Sequence, residues 1–382
     1  MNRPIRLMVI AGETSGDMHA AGLVRAIGAK SPRAEFFGIG GDALRAAGME
    51  ILHDTSEMAV MGIAEVAPKL LFFRRVFLEM LAVAAERRPD AVLLVDYPDF
   101  NLRFAAAAHK LGLKVIYYVC PQVWAWRRKR IATMARVIDR LIVIFPFEPA
   151  VFAGTGLKVD YVGHPLIDEA ERALAEPKPD LPWRGNPRLA LLPGSRRHVI
   201  RRMVPVFARA AALLLSRHPS VGIILPAPSE EAADIIRAEL SQFNGPPLPA
   251  EITVGLTRQV LRTADAALVA SGTATVETAL MGCPMVISYK TSSISFTLMK
   301  RLVHLQQIGM VNIIAGRQLC AELIQDAATP RALADAADVL LSDQAARERM
   351  LAGYREVAEK LGPGGANERA AAVVLEELAR NG

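Results

Sequence analysis

Asp96 is the residue in this sequence best placed for acid–base chemistry. It directly follows the apolar run Ala91 to Val95 and opens the segment Asp96-Tyr97-Pro98-Asp99-Phe100-Asn101, where Pro98 stiffens the turn. A carboxylate at the end of a strand can accept the proton of a substrate hydroxyl as a general base. Asp99 or Asn101 is a natural N-cap for a helix starting near Leu102, and Asn101 is also a candidate acceptor or sugar contact. A second chemical position is Leu192-Pro193-Gly194-Ser195-Arg196-Arg197, which leaves a strand and opens a helix. Gly194 and Ser195 supply backbone N–H groups and a hydroxyl for a diphosphate, and Arg196 supplies a guanidinium. Such an Arg can offset charge growing on a departing diphosphate without a metal. The third is Ala270 to Glu277, where Ser271, Gly272, Thr273 and Ala274 form another strand-to-helix turn and Glu277 can take both ribose hydroxyls of a nucleotide. Either loop alone is more often structural, whereas two in one half of the chain point to a nucleotide diphosphate.

Two further loops carry polar candidates. In Ala11-Gly12-Glu13-Thr14-Ser15-Gly16-Asp17, Gly12 and Gly16 permit tight turns and the next helix offers N–H groups to a polar or anionic ligand. Gly12, Glu13, Ser15 and Gly16 are therefore expected acceptor or sugar contacts. The spacing is not that of a dinucleotide fingerprint, and the P-loop lysine is missing. The segment from Tyr118 to Arg130 sets Trp124 and Trp126 beside four cations, a mixture suited to an amphiphile with an anionic head. A solvated basic face or a nucleic-acid surface would use the same residues. Gln122 and Trp124 join the expected acceptor contacts, and the reading adopted has no nucleic-acid partner.

These loops need strands to carry them. Ile5 to Ile10, Glu35 to Gly38, Ala91 to Val95, Lys114 to Val119 and Arg140 to Ile144 are continuous apolar, β-branched runs alternating with helical patterns, as in a parallel sheet covered on both faces. Strands at Leu189 to Leu192, Val221 to Leu225, Ala266 to Ala270 and Met285 to Tyr289 repeat the pattern. The expected fold class is α/β, two doubly wound domains facing across a cleft that receives the loops at the carboxyl ends of the strands. The expected domains are residues 1–167, a Pro- and charge-rich linker at 168–187, residues 188–345, and C-terminal helices at 346–382. Hydrophobic residues are 52% of the chain, enough for two cores, and the formal charge of +6 favours phosphate-bearing partners. Cys120, Cys283 and Cys320 lack the paired spacing of a disulfide framework or zinc site, which suits a reducing cytoplasm. No run reaches the length of a transmembrane helix, and none has the form of a signal peptide.

The blocks AGETSGD at 11–17, VMGIAEV at 60–66, DYPDFN at 96–101, PQVWAWRRKRI at 121–131, VGHPL at 162–166, LLPGSR at 191–196, SGTATVE at 271–277 and KRLV at 300–303 together resemble the lipid-A-disaccharide synthases over nearly the whole chain. The resemblance implies a GT-B fold whose C-terminal helix crosses back to the N-terminal domain, with no cofactor and no metal. It implies a UDP-linked 2,3-diacylglucosamine donor and a 2,3-diacylglucosamine 1-phosphate acceptor. The products would be the β-1,6-linked disaccharide 1-phosphate and UDP. It assigns the base to Asp96 and an essential role to Arg196, and it adds Asn312 as a nucleotide contact, although the residues just before Asn312 depart from the family pattern. It leaves a homodimer open.

Acylated substrates stay in a bilayer, so a peripheral site at the cytoplasmic face of the inner membrane is expected. Leu70, Leu71, Phe72, Phe73, Val76 and Phe77 crowd a helix that also carries Lys69, Arg74 and Arg75, the make-up of an interfacial segment. A core helix would have the same residues. If the segment is interfacial, changing Leu71, Phe72 and Val76 to Ser lowers membrane binding and leaves the fold intact. Two rival functions fit parts of the sequence. A UDP-sugar 2-epimerase of similar fold would need no acceptor, and a non-catalytic lipid-binding module would leave the 194–196 and 271–277 loops unexplained.

Overall fold

The computed structural model describes residues 3–58, 66–124, 127–291 and 307–380. The blocks at 60–65 and 300–303, Trp126 and the Leu70 side chain lie outside the described residues. The chain divides into two compact units, Met1–Pro165 with Pro363–Gly382, and Leu166–Gly362.

The first unit is built on seven parallel strands, β1 (Arg6–Ala11), β2 (Glu35–Gly40), β3 (Glu50–Asp54), β4 (Ala91–Val95), β5 (Val115–Tyr118), β6 (Arg140–Val143) and β7 (Lys158–Tyr161). Their spatial order is β3-β2-β1-β4-β5-β6-β7. Every residue of β4 is buried, which is why it reads as an unbroken apolar run rather than an alternating one. On one face Met8, Ile10, Val92 and Leu94 pack with Val76, Met80, Ala84 and Phe104. Each such side chain contributes roughly 1.5 to 3 kcal/mol when fully buried. The helix Thr14–Lys30 packs on β1 and β4, and the final helix Ala366–Ala379 lies along it.

The second unit holds six parallel strands, β8 (Arg188–Leu192), β9 (Gly222–Ala227), β10 (Ala250–Val254), β11 (Ala266–Ala270), β12 (Met285–Tyr289) and β13 (Glu322–Ile324), in the order β10-β9-β8-β11-β12-β13. In each sheet the chain winds outward on one side of its first strand and then continues on the other. The switch falls between β1 and β4 in the first unit and between β8 and β11 in the second.

Three sequence expectations change. The stretch expected as a linker begins as a helix, Leu166–Ala175, whose Leu166, Ile167, Ala170 and Ala173 are buried; its apolar residues recur at helical spacing, and the Pro-rich part starts only at Pro177. The helix Gln344–Lys360 belongs to the second unit, so the C-terminal return to the first unit consists of residues from Pro363 onward. Val76 is fully buried, and Phe77 meets Phe100 and Phe104 edge-on with ring centroids 5.7 and 5.6 Å apart. These two side chains therefore face the core, and Val76→Ser would damage the fold. Leu71, Arg74, Arg75 and Leu78, at helical spacing, are exposed, while Phe72 and Phe73 are half-buried. Among the described residues, no helix is long and apolar enough to cross a membrane.

Candidate functional site

The loops expected to carry chemistry leave the strands at the two switch points. Ala11 pairs with Val95, so the 12–17 and 96–101 loops start side by side. Leu192 pairs with Val269, so the 193–197 and 271–277 loops do the same. Ligands of open α/β sheets bind at such points because diverging loops leave a crevice there.

In the first unit Asp96 and Tyr97 both have left-handed backbones, with φ of 46° and 51°. That region is costly for residues with a Cβ, so the conformation has to be held by neighbours. The Asp96 carbonyl accepts from the Tyr117 hydroxyl and, at 2.7 Å, from Asn101 Nδ2, while its N–H donates to the Tyr118 carbonyl at 3.2 Å. Asn101 Nδ2 also donates to the carbonyls of Ile10 and Val95. Asn101 is fully buried, so its amide holds the loop together from inside instead of meeting an acceptor. Asp96 itself is partly exposed at the end of the sheet.

Gly12 touches this loop directly. A Cβ at Gly12 would lie 2.3 Å from the Tyr97 ring, so the ring fits only over glycine. Burial pushes the Tyr97 phenol up to about 12, with the charges of Glu13 and Asp99 adding to it. Glu13 is partly exposed, Ser15 exposed and Gly16 buried. The buried Asp17 carboxylate accepts from the N–H groups of Gly41, Ala43 and Leu44, anchoring the next loop.

The basic segment faces this loop with two of its cations, since Arg127 and Arg130 both pair with Asp99. Partial burial works against ionisation of Asp99, but these guanidinium groups outweigh it and hold the carboxyl below its ordinary range. Gln122 is exposed. Trp124 is not: it is only 8% exposed and stands edge-on to Phe147 at 4.8 Å. Its ring joins Phe147 and Phe145 in an aromatic wall, because the apolar indole finds a better place there than in solvent. Two buried titratable groups near this wall escaped the sequence reading. Burial pushes Glu148 up to about 8, and burial, with His19 adding to it, brings His164 down to about 3. His164 lies within the VGHPL block, which was the available signal.

In the second unit Gly194 has φ of 104° and Gly272 φ of 151°, conformations that glycine takes without strain. Arg196 is the N-cap of the long helix Arg197–Arg217, whose first turn has no acidic residue. Arg196, Arg197, His198, Arg201 and Arg202 crowd this end and are exposed. Cations at the positive end of a helix dipole are unfavourable alone and are offset by a bound anion. Burial, Arg196 and Arg202 together hold His198 below its ordinary value. The repeated basic residues at 196, 197, 201 and 202 were the signal for the last two.

At the neighbouring turn Gly272 and Thr273 are exposed and Ala274 is partly exposed. Ser271 directs its hydroxyl to the Ile308 carbonyl at 2.9 Å. Asn312 is fully buried. Its Nδ2 donates to Cys320 O and Glu322 Oε1 at 2.9 and 2.7 Å, and its Oδ1 accepts from Leu319 and Cys320 N–H at 2.8 and 3.0 Å. All its ordinary hydrogen-bonding capacity is used inside the fold, which corrects the expectation of a direct nucleotide contact. The Glu322 carboxylate takes the N–H groups of Ile308 and Gly309, both at 2.9 Å, and thereby ties Asn312 to the segment that receives Ser271. Glu277 is mostly buried, 2.8 Å from Arg258 Nε; burial raises its carboxyl above the ordinary value even though Arg258 pulls the other way.

The family model described as Lipid-A-disaccharide synthetase matches residues 7–375. The chain belongs to the lipid-A-disaccharide synthase family. It is 42% identical to the lipid-A-disaccharide synthase of Geobacter sulfurreducens, with 99% of each chain covered. It is 39% identical to that of Myxococcus xanthus, again with 99% of each covered. Membership makes it a glycosyltransferase of lipid A disaccharide synthesis. The fold is GT-B, shared with more distant proteins of solved structure. The S. aureus MnaA–UDP co-structure has a TM-score of 0.69 at 14% identity, covering 98% of this chain and 97% of that one. The calicheamicin glycosyltransferase CalG4 has a TM-score of 0.62 at 18% identity, covering 100% and 99%.

Proposed function

We propose that the chain joins UDP-2,3-diacylglucosamine to 2,3-diacylglucosamine 1-phosphate. Asp96 takes the proton of the acceptor 6-hydroxyl as the oxygen bonds to the donor's anomeric carbon. The bond from that carbon to the diphosphate oxygen breaks, its electron pair leaves with UDP, and the carbon is inverted. Arg196 and the N–H groups around Gly194–Ser195 and Gly272–Ala274 offset the charge on the departing diphosphate, and Glu277 takes the ribose hydroxyls. The observation that carries this reading is that, in a member of this family, each pair of motif loops leaves its sheet at the switch point, with a carboxylate on one sheet and cations with glycine turns on the other.

The substrates carry acyl chains, so the reading includes peripheral docking at the cytoplasmic face of the inner membrane. The exposed face Leu71, Arg74, Arg75 and Leu78 suits an anionic lipid surface, combining apolar insertion with cationic attraction.

The test is mass analysis of products made from the two defined acylated substrates. A disaccharide 1-phosphate and free UDP are expected only when both substrates are present. A new isomer of the donor, formed without acceptor, would replace this reading with epimerisation.

A further inference from the structure

We infer that Arg258 is the positioning residue for a ribose diol at Glu277, resting on the reading above that the second unit binds a uridine diphosphate. Arg258 stands on the short helix Thr257–Leu261 that follows β10. Its Nε pairs with Glu277 Oε1 at 2.8 Å, and its Nη2 donates to Glu169 Oε2 on the helix Leu166–Ala175. The side chains of Arg258, Glu277 and Glu169 are 29%, 21% and 20% exposed, so the cluster is largely withdrawn from water.

Glu277 has to satisfy two conditions to accept from a vicinal diol. It has to be ionised, because a protonated carboxyl loses acceptor capacity, and it has to keep one orientation. Burial and the neighbouring Glu169 both work against the first condition. Arg258 supplies the opposing charge, and its planar fork, fixed at its other end by Glu169, gives Glu277 a single direction to lean. A carboxylate oxygen in an ion pair still has a lone pair for a further donor. The arrangement therefore specifies ribose over 2′-deoxyribose through the residue that holds the carboxylate.

The experiment is calorimetric titration of the full chain with UDP and with 2′-deoxy-UDP. The variants are Arg258→Met, Glu277→Gln and the double substitution, with Arg258→Lys kept as a milder change should Met prevent folding. The wild-type protein is expected to prefer UDP by about tenfold, the size of a hydrogen bond to a charged group. Arg258→Met removes most of that preference while leaving 2′-deoxy-UDP affinity nearly unchanged, Arg258→Lys keeps part of it, and the double variant loses no more than Glu277→Gln alone. A role confined to bracing helices would weaken both ligands equally, so an unchanged preference in folded Arg258→Met or Arg258→Lys overturns the inference. So does a wild-type protein that binds both nucleotides alike. Failure of the wild-type protein to bind UDP at all would instead overturn the proposed function.

Discussion

The two switch-point regions solve different problems with different backbones. In the second unit the expected ligand groups are backbone N–H donors, so Gly194 and Gly272 take the unusual conformations at no steric cost. In the first unit the expected reacting group is a side chain, and glycine cannot carry one. Asp96 and Tyr97 therefore adopt left-handed backbones as non-glycine residues, at roughly 1 to 2 kcal/mol each. Asn101 and Tyr117 hold the Asp96 peptide in place. The lesson is that a non-glycine residue presenting its side chain from a left-handed backbone needs its own peptide held by buried polar groups, whereas a turn presenting backbone N–H groups reaches such conformations through glycine.

The sharpest break between the regions is expected from Asp96→Asn and Arg196→Ala. Asp96→Asn should lower turnover by about 10² to 10⁴ and leave UDP affinity within about twofold. Arg196→Ala should lower turnover comparably and weaken UDP as well. Initial rates with calorimetric UDP titration separate the two, and equal UDP affinity in both variants would erase the division of labour. Next in size are Asn101→Ala and Asn312→Ala, each removing a buried brace at a cost of about 2 to 3 kcal/mol. Hydrogen exchange should place the loss in the first unit for Asn101→Ala and in the second for Asn312→Ala. Asn101→Ala should also lower kcat, since it frees the Asp96 loop, while Asn312→Ala should act mainly on donor KM.

The smallest expected effect, taken per pH unit, is a pair of opposed pH dependences in the first unit. His164 is depressed from 6.5 to about 3. Between those values the unfolded chain holds a proton that the native one lacks, so this contribution to stability falls as pH drops, by up to about 1.4 kcal/mol per unit. Glu148 is raised from 4.5 to about 8, so the native state holds the extra proton. Its contribution is present below 4.5 and is lost as pH rises through about 8. Glu148→Gln should therefore raise the melting temperature at pH 8 relative to the wild-type protein, with the gain shrinking towards pH 4.5. A gain independent of pH would mean that Glu148 is not held protonated in the native unit.

The central strands and their loops were legible because the strands are buried on both faces and a Gly or Asp follows within two residues of β1, β4, β8 and β11. The edge strands β3, β7, β10 and β13 were not. They are only partly buried and lack the continuous apolar signal that the reading relied on. Arg258 follows one of them and escaped with it. The direction of a polar side chain was equally hidden: Ser271 sits in the expected turn, but Asn101 lies inside the helix Pro98–Lys110, which starts at Pro98 without a side-chain cap from Asp99 or Asn101, and Asn312 lies inside the helix Met310–Ala315, and tertiary contacts turn all three inward. Val76 is a different kind of miss. Its spacing with Met80 and Ala84 already marked a core stripe, opposite the stripe of Leu71, Arg74, Arg75 and Leu78.

The return of the final helix makes the second unit an insertion within the first. Ala366, Ala370, Ala371 and Val374 are buried beside the helix Thr14–Lys30, and a ribosome delivers them only after the whole second unit. The first unit thus stays unfinished, with an apolar strip uncovered, until all of residues 166–362 have been made. A single continuous gene fragment can encode the inserted body, but the body around it has to be reassembled from two pieces.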